Sequence, residues 1–331
     1  MPAQSDDQGI DPSVQLSPSL LYTLSLSATF LAWRIAGTTS AGACRHLSRT
    51  EAQTRWRPAR KVRRESRAIA LLAVAGVALV GTFNVIPAAL LSGRYRWYND
   101  WAAMQTALAG ALSTLWREQT SSLPPELARL VDYWLLWHAI KVVICMATVS
   151  VFTALGVALW HRYLNATQRA AFWRCGATVA TIVVALATGV LVLNVQATAV
   201  PLVALLPALP AGSQNHDLAD TVNEIRAAAS DRSTPYGASP ALSLLLRQVE
   251  RYYWVLASLS AVLALAMASA SILLWRRRGA TTVDASRSRS ICSTVGVVTA
   301  LTASVLLVGV AAGVISALRP LDSLVGLLAG V

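Results

Sequence analysis

The stretch WLLWHAIKVVICMATVSVFTALGVALW, residues Trp134–Trp160, establishes the class of this protein. A helix needs about 20 mostly apolar residues to cross the roughly 30 Å of bilayer hydrocarbon, and this run is longer than that. Four other runs meet the same test: Ile69–Leu91, Gly176–Leu206, Tyr253–Trp275 and Cys292–Leu318. The run 176–206 is longer than a span requires, and Pro201 is expected to end or kink its helix. The sequence therefore predicts an all-α, polytopic membrane protein with five clear transmembrane helices.

The composition supports this class and excludes others. Of the 331 residues 55% are hydrophobic and only 13% are charged, about half of the roughly 25% typical of soluble chains. The net charge of +12 could suggest nucleic acid, but the densest basic cluster, Arg55–Arg67, directly adjoins a predicted span. We therefore interpret the charge as an orientation signal that also attracts anionic lipid head groups, and we predict no nucleic-acid partner.

A sixth candidate span covers residues 18–33. It is short and diluted by serine and threonine, so the alternative is a helix that lies flat in the membrane interface. The preceding tail, residues 1–17, carries Asp6, Asp7 and Asp11 and no positive charge, which is the wrong polarity for a secretory signal peptide. We predict that the segment spans and that the acidic tail lies outside the cytoplasm.

The basic residues alternate along the chain in a way that predicts its orientation. Three segments, 34–68, 161–175 and 276–291, hold 18 of the 28 basic residues. The long loops 92–133 and 207–252 carry four basic residues each against four and five acidic ones. Because arginine and lysine are retained in the cytoplasm, the basic segments are predicted to be cytoplasmic and the long loops extracytoplasmic. Lysine is nearly absent, as in high-GC bacterial genomes, which favours a bacterial inner membrane.

The chain also shows a candidate parallel repeat of two helical-hairpin units, 69–160 and 176–275. Each has a span containing Asn-Val (Asn84-Val85 and Asn194-Val195), an outer loop of some 40 residues and a return helix entered by aromatic residues. Aromatic belts and basic exits are generic features of membrane proteins, so shared constraints could produce the same likeness.

Both long loops are predicted to be helical rather than unstructured. In the first, apolar side chains recur every three or four residues, on one helical face that lies on the membrane or caps the bundle: Trp97, Trp101, Met104, Leu108, Leu112 and Trp116. In the second we predict a polar helix over 217–229, a turn over 233–240 and a helix over 241–251. After the last span, 292–318, an apolar stripe in the tail 319–331 is predicted to rest in the outer membrane interface: Leu321, Leu324, Leu327, Leu328 and Val331.

Polar residues within the apolar runs form the candidate site. Their spacings place His138 and Lys141 on one face of the second span, and three amides are predicted at a similar depth: Asn84, Asn194 and Gln196. Ionisable residues at membrane depth commonly mark ligand or ion sites. The alternative is structural: Lys141 can extend to the head groups, and the amides can hydrogen-bond between helices. No carboxylate lies in any span, which argues against a proton-coupled pump.

Two further features concern packing and metals. Gly309 and Gly313 form a GxxxG pair that permits close helix approach, within the chain or between copies. The cysteines, at positions 44, 145, 175 and 292, are not paired at zinc-ligand spacing, and none lies in a predicted outer segment. The sequence therefore predicts no disulfide, metal or cofactor.

No specific catalytic motif is present: the chain lacks a P-loop, an HExxH pair and a GxSxG elbow. Three functional hypotheses follow. The first is a non-enzymatic accessory, assembly or scaffold protein of the cell envelope, which binds a membrane-protein partner through its outer loops. The alternatives are a small transporter or permease with the polar site in the outer half of the bundle, and a membrane enzyme acting on a lipid-soluble substrate.

Overall fold

The structure, a computed structural model, describes residues 59–210, 216–230, 239–280 and 286–329. The sixth candidate span, the acidic tail and most of the turn predicted over 233–240 lie outside these residues. The described part is helical throughout and has no strand. Its α-helices are α1 (Ala59–Thr82), α2 (Val85–Leu91), α3 (Trp101–Glu118), α4 (Pro125–Asn165), α5 (Ala170–Ala199), α6 (Pro201–Leu205), α7 (His216–Ser230), α8 (Pro240–Ala280), α9 (Ser286–Leu318) and α10 (Pro320–Leu327).

Five of the described helices, α1, α4, α5, α8 and α9, are long and apolar enough to cross a membrane, which confirms the predicted class. Their outward faces are strongly apolar: Leu71 and Val77 on α1 and Val305 on α9 are each at least 70% exposed. Soluble monomers rarely leave continuous apolar surface of this kind in water. These faces are suited to contact with lipid.

The most extensive contacts join α4 to α5 and α8 to α9. These are the helices connected across the basic segments 161–175 and 276–291, and they form two hairpins. The first hairpin packs tightly because Gly156 faces Ala180 and Gly176 faces Leu159. The two spans of each candidate repeat unit are α1 with α4 and α5 with α8. Their contacts are less extensive than those within the two hairpins, so the repeat stays a prediction.

The described parts of the three basic segments meet at one end of the bundle, here called the basic end. Arg162 donates a hydrogen bond of 2.8 Å to Ser66 and lies 3.8 Å from the carboxylate of Glu65, at the start of α1. Arg287, at the start of α9, donates to the carbonyl of Ala166 at 2.6 Å, just after α4. The three basic segments, which alternate with the long loops along the chain, therefore lie at the same end of the bundle.

The first predicted span, Ile69–Leu91, is not one continuous helix. Helix α1 ends at Thr82, and α2 begins at Val85. Pro87 explains the break, because proline lacks an N–H group and its ring clashes with the carbonyl four residues earlier, that of Phe83. Pro201 acts in the same way on the third run, as predicted: α5 ends at Ala199 and α6 begins at Pro201.

At the other end the long loops fold into a single body, here called the loop cap: the 3₁₀ turn Arg96–Asn99, α3, α6, α7, α10 and the first turns of α4 and α8. The cap has its own apolar core, whose fully buried members include Met104, Leu108, Leu112, Leu115, Leu127, Leu130, Leu205, Leu218, Ile225 and Leu245. Polar contacts join its two main helices. The indole N–H of Trp116 donates to Glu224 at 2.7 Å, and Thr221 donates to Ser113 at 3.0 Å in a buried pair.

The lengths of α4 and α8 explain how the cap is attached. Each helix has 41 residues, which at about 1.5 Å per residue is twice the thickness of the hydrocarbon core. Each therefore extends beyond the membrane at one or both ends. Leu127 and Leu130 of α4 and Leu245 of α8 lie in the cap core, so the same two helices form the bundle and support the cap.

The C-terminal stripe packs against protein, and its position in the outer membrane interface stays a prediction. Leu324 and Leu328 are at most 1% exposed and belong to the cap core. The side chain of Arg226 on α7 donates a hydrogen bond to the carbonyl of Leu328. The stripe finds apolar partners on α7 and α8, and burial there removes it from solvent.

Candidate functional site

The predicted site residues of α4 and α5 lie where the cap core meets the core of the bundle, a level we call the junction layer. On α4, Tyr133 belongs to the cap core and Val142 to the bundle core. On α5, the bundle core ends at Val195, and the cap core begins at Val200, just after the helix. His138, Lys141, Asn194 and Gln196 fall in or beside this interval, so their shared depth agrees with the spacing argument.

Lys141 is held between two aromatic rings. Its Nζ atom lies 4.8 Å from the ring centre of Phe83 and 5.3 Å from that of Trp137. No carboxylate of a described residue forms an ion pair with it. Cation–π contacts contribute about 0.5–2 kcal/mol, depending on desolvation, so the rings offset part of the cost of this charge. The layer therefore holds an ammonium that has no counter-ion among the described residues.

His138 turns back onto its own helix. Its Nδ1–H donates to the carbonyl of Trp134 at 2.9 Å, and its ring lies 4.7 Å from the indole of Trp134. With the proton on Nδ1, the other ring nitrogen of the neutral side chain is an acceptor. The indole N–H of Trp134 is buried and has no hydrogen-bond partner among the described residues.

The two amides of α5 are satisfied by backbone carbonyls. Gln196 is 1% exposed, and its amide donates to the carbonyl of Tyr252 at 3.3 Å, which links α5 to α8. Asn194 donates to the carbonyl of Val190 at 2.7 Å, within its own helix. The Gln196 contact matches the structural alternative of an amide that hydrogen-bonds between helices, whereas the Asn194 contact stays within one helix.

Asn84 does not enter the site. It is exposed, precedes the first turn of α2 and makes no side-chain capping bond. Its neighbour Phe83, which was not predicted to belong to the site, contacts Lys141 together with Trp137. The helix break places Phe83 at this position, and only the proline four residues later could have indicated it.

Four of the five predicted residues thus share the junction layer, but they do not form one constellation. No hydrogen bond or ion pair between described residues joins His138 or Lys141 to Asn194 or Gln196. The described part of the chain also has no group of three His, Cys, Asp or Glu residues placed to hold a metal ion. What the layer offers chemically is one cation in an aromatic setting.

Gly309 and Gly313 face α8 within the same chain. A Cβ atom added to Gly313 would lie 3.0 Å from the backbone nitrogen of Ala257 and from the carbonyl oxygen of Tyr253. One added to Gly309 would lie 3.2 Å from the hydroxyl of Ser260. The two glycines therefore allow α8 and α9 to approach closely.

The cap presents two exposed indoles. The predicted face of α3 buries Met104, Leu108, Leu112 and Trp116, but Trp97 is 83% and Trp101 is 54% exposed. An aromatic cluster next to them, Tyr95, Tyr98 and Tyr133, joins the loop to α4 with ring separations of 5.5 to 6.2 Å. Burial, followed by the nearby charge of Glu126, raises the pKa of Tyr98, so this phenol stays protonated at neutral pH.

Comparison of the chain with family models, curated proteins and solved structures finds no match.

Proposed function

We propose that this protein is an accessory, assembly or scaffold protein of the bacterial cell envelope. In this proposal it resides in the inner membrane, its basic end faces the cytoplasm, and the loop cap docks another membrane protein outside the cytoplasm. The excess of arginine in the three basic segments supports the orientation, because positive charge is retained on the cytoplasmic side.

The observation that carries the proposal is the loop cap with its exposed indoles. Most apolar residues of the loops are buried in the cap core, whereas the side chains of Trp97 and Trp101 are exposed. Tryptophan is among the residues most enriched at energetically important positions of protein interfaces. A preorganised body that presents such residues is suited to binding another protein.

The test places a photo-crosslinking amino acid at Trp97 and, as the control, at Val143, which is 61% exposed in the apolar middle of α4. The protein is expressed in its own host, irradiated and purified in mild detergent. We expect one stoichiometric protein adduct at position 97 and lipid adducts alone at position 143. Lipid adducts alone at both positions would contradict a docking role.

A matched pair of variants tests the same surface without a crosslinker. Serine at both Trp97 and Trp101 should lower recovery of the partner at least tenfold, because each interface tryptophan typically contributes about 2 kcal/mol or more. Serine at Trp254, which is 44% exposed on α8, should leave recovery unchanged.

One observation favours a second candidate function, a small transporter or permease. Lys141 has no acidic partner among the described residues, so its ammonium is available to an anionic group. In that case Lys141→Leu and His138→Leu would each abolish uptake or export while the amount of protein in the membrane stays constant. The docking proposal predicts instead that both variants retain the partner.

A further inference from the structure

Two open grooves meet where α9 ends and α10 begins. The first has a volume of about 450 Å³ and is lined on one side by Tyr253 of α8. The second has a volume of about 560 Å³ and is bounded by Ala229 and Ser230 of α7. Arg319 and Asp322 line both grooves. Each volume lies in the range of about 300–1,000 Å³ found for small-molecule sites.

The charged side chains of Arg319 and Asp322 form no ion pair with a described residue. Both residues are exposed. Arg226, in contrast, is committed to the carbonyl of Leu328 nearby. The grooves therefore offer one guanidinium and one carboxylate, both free to bind a ligand.

Hydroxyl groups complete the polar wall. Ser323 donates to the carbonyl of Ser316 at 3.0 Å, and the hydroxyl-bearing side chain of Tyr253 lines the same groove. The Ser323 contact holds the start of α10 against the end of α9. The oxygen atoms keep lone pairs that can accept a hydrogen bond from a ligand.

The position of the grooves indicates what kind of ligand reaches them. Arg319 follows directly after α9, at the end of the predicted span 292–318, which is the level expected for lipid head groups. Immediately before it, Ile315 is 58% and Leu318 is 68% exposed on the outward face of α9. A molecule with acyl chains along α9 would place its polar end between Arg319 and Asp322.

We propose that the grooves at Arg319 and Asp322 bind the head group of a zwitterionic phospholipid that carries a primary amine, with the chemistry of phosphatidylethanolamine. The planar guanidinium of Arg319 contacts the phosphate, for which it is geometrically matched. The carboxylate of Asp322 accepts hydrogen bonds from the ammonium, which the quaternary amine of phosphatidylcholine cannot donate. This binding site is separate from the exposed indoles, so its failure would leave the docking proposal intact.

The test uses native mass spectrometry of the full-length protein in detergent, with an equimolar mixture of dioleoyl phosphatidylethanolamine, phosphatidylcholine and phosphatidylglycerol. We expect the wild type to retain phosphatidylethanolamine in preference to the other two. Arg319→Gln should weaken binding of all three about tenfold, because it removes a charge-assisted contact to the shared phosphate. Asp322→Asn should keep phosphate binding and lose the preference for the primary amine.

Arg251→Gln is the matched control, because Arg251 is exposed at the same end of α8 but does not line the grooves. Arg319→Lys should recover part of the phosphate binding, which separates a ligand contact from a folding defect. If Arg319→Gln does not fold, the selectivity of Asp322→Asn decides the question. Equal retention of the three lipids by the wild type, or equal losses in Arg251→Gln and Arg319→Gln, would overturn the proposal. Displacement of the lipid by soluble phosphoethanolamine at equal concentration would overturn the assignment to a lipid.

Discussion

At the scale of single residues, Lys141 decides between the two candidate functions. A cation in the middle of a membrane helix costs about 2.5–3.5 kcal/mol on insertion scales. Its cation–π contacts with Phe83 and Trp137 stabilise the folded protein by about 0.5–2 kcal/mol. In the absence of a bound anion, the charge of Lys141 therefore destabilises the folded protein.

We accordingly predict that Lys141→Leu raises the free energy of unfolding by about 0.5–3 kcal/mol, the amount by which the cost of the charge exceeds the lost ring contacts. Thermal unfolding followed by tryptophan fluorescence in detergent measures the change. Phe83→Leu is the companion variant; it keeps the charge but removes one ring, and should be destabilising by about 0.5–1 kcal/mol. A loss of stability in Lys141→Leu larger than that in Phe83→Leu would show that the ammonium has a partner the account lacks.

Residue spacing predicted which side chains share a level but not which ones touch. The intervals along α4 place His138 and Lys141 on one face of that helix, and both lie in the junction layer. Contacts between helices depend on how each helix is rotated about its axis, which an apolar run does not determine. Phe83 meets Lys141 because of a helix break, and Gln196 reaches a carbonyl of α8 across an interface, so neither pairing could be deduced from periodicity.

At the scale of helices, proline and glycine set the geometry. Pro201 was expected to end its helix and does so, whereas Pro87 lies inside an apolar run that read as one continuous span. Pro87 nevertheless breaks the helix before it, because the clash with the carbonyl of Phe83 does not depend on hydropathy. The position of a proline within an apolar run therefore predicts where the helix ends better than the length of the run does.

The close approach of α8 and α9 predicts an unusual result for a glycine substitution. Gly313→Ala should lower the free energy of unfolding by about 1–3 kcal/mol, because the new methyl group meets backbone atoms that cannot move aside. Gly189→Ala on α5 is the control: nothing lies within 4 Å of its added Cβ, so alanine should stabilise that helix by up to about 1 kcal/mol. If Gly313→Ala proves as stable as Gly189→Ala, the helices are farther apart than described.

The C-terminal helix α10 gives a third prediction. Leu324 is completely buried in the cap core, so Leu324→Ala should destabilise the cap by about 2–5 kcal/mol. Leu318→Ala, at a position 68% exposed on the apolar face of α9, should cost much less. Limited proteolysis of the loop cap in detergent reports the difference as a faster cleavage rate. Equal cleavage rates in the two variants would place α10 away from the cap, nearer the interfacial position that its apolar stripe alone suggested.

At the scale of the whole molecule, the apolar runs and the alternation of basic segments predicted most of the architecture. Runs of apolar residues gave the membrane class and the approximate positions of five helices. The alternation of basic segments required a common end, and the contacts of Arg162 and Arg287 show that end. The loop cap was harder to foresee, because its core joins residues from both loops and from the C-terminus that lie far apart in sequence.

The orientation of this two-ended molecule is the central claim, since docking outside the cytoplasm depends on it. The most direct measurement labels single-cysteine variants in spheroplasts with a membrane-impermeant maleimide. One variant keeps only Cys175, which is exposed at the basic end, and the other replaces all four cysteines with serine and carries Ser121→Cys on the exposed surface before α4. With the basic end in the cytoplasm, we expect immediate labelling of Ser121→Cys and labelling of Cys175 only after permeabilisation. The reverse pattern would place the loop cap in the cytoplasm and contradict the proposed function.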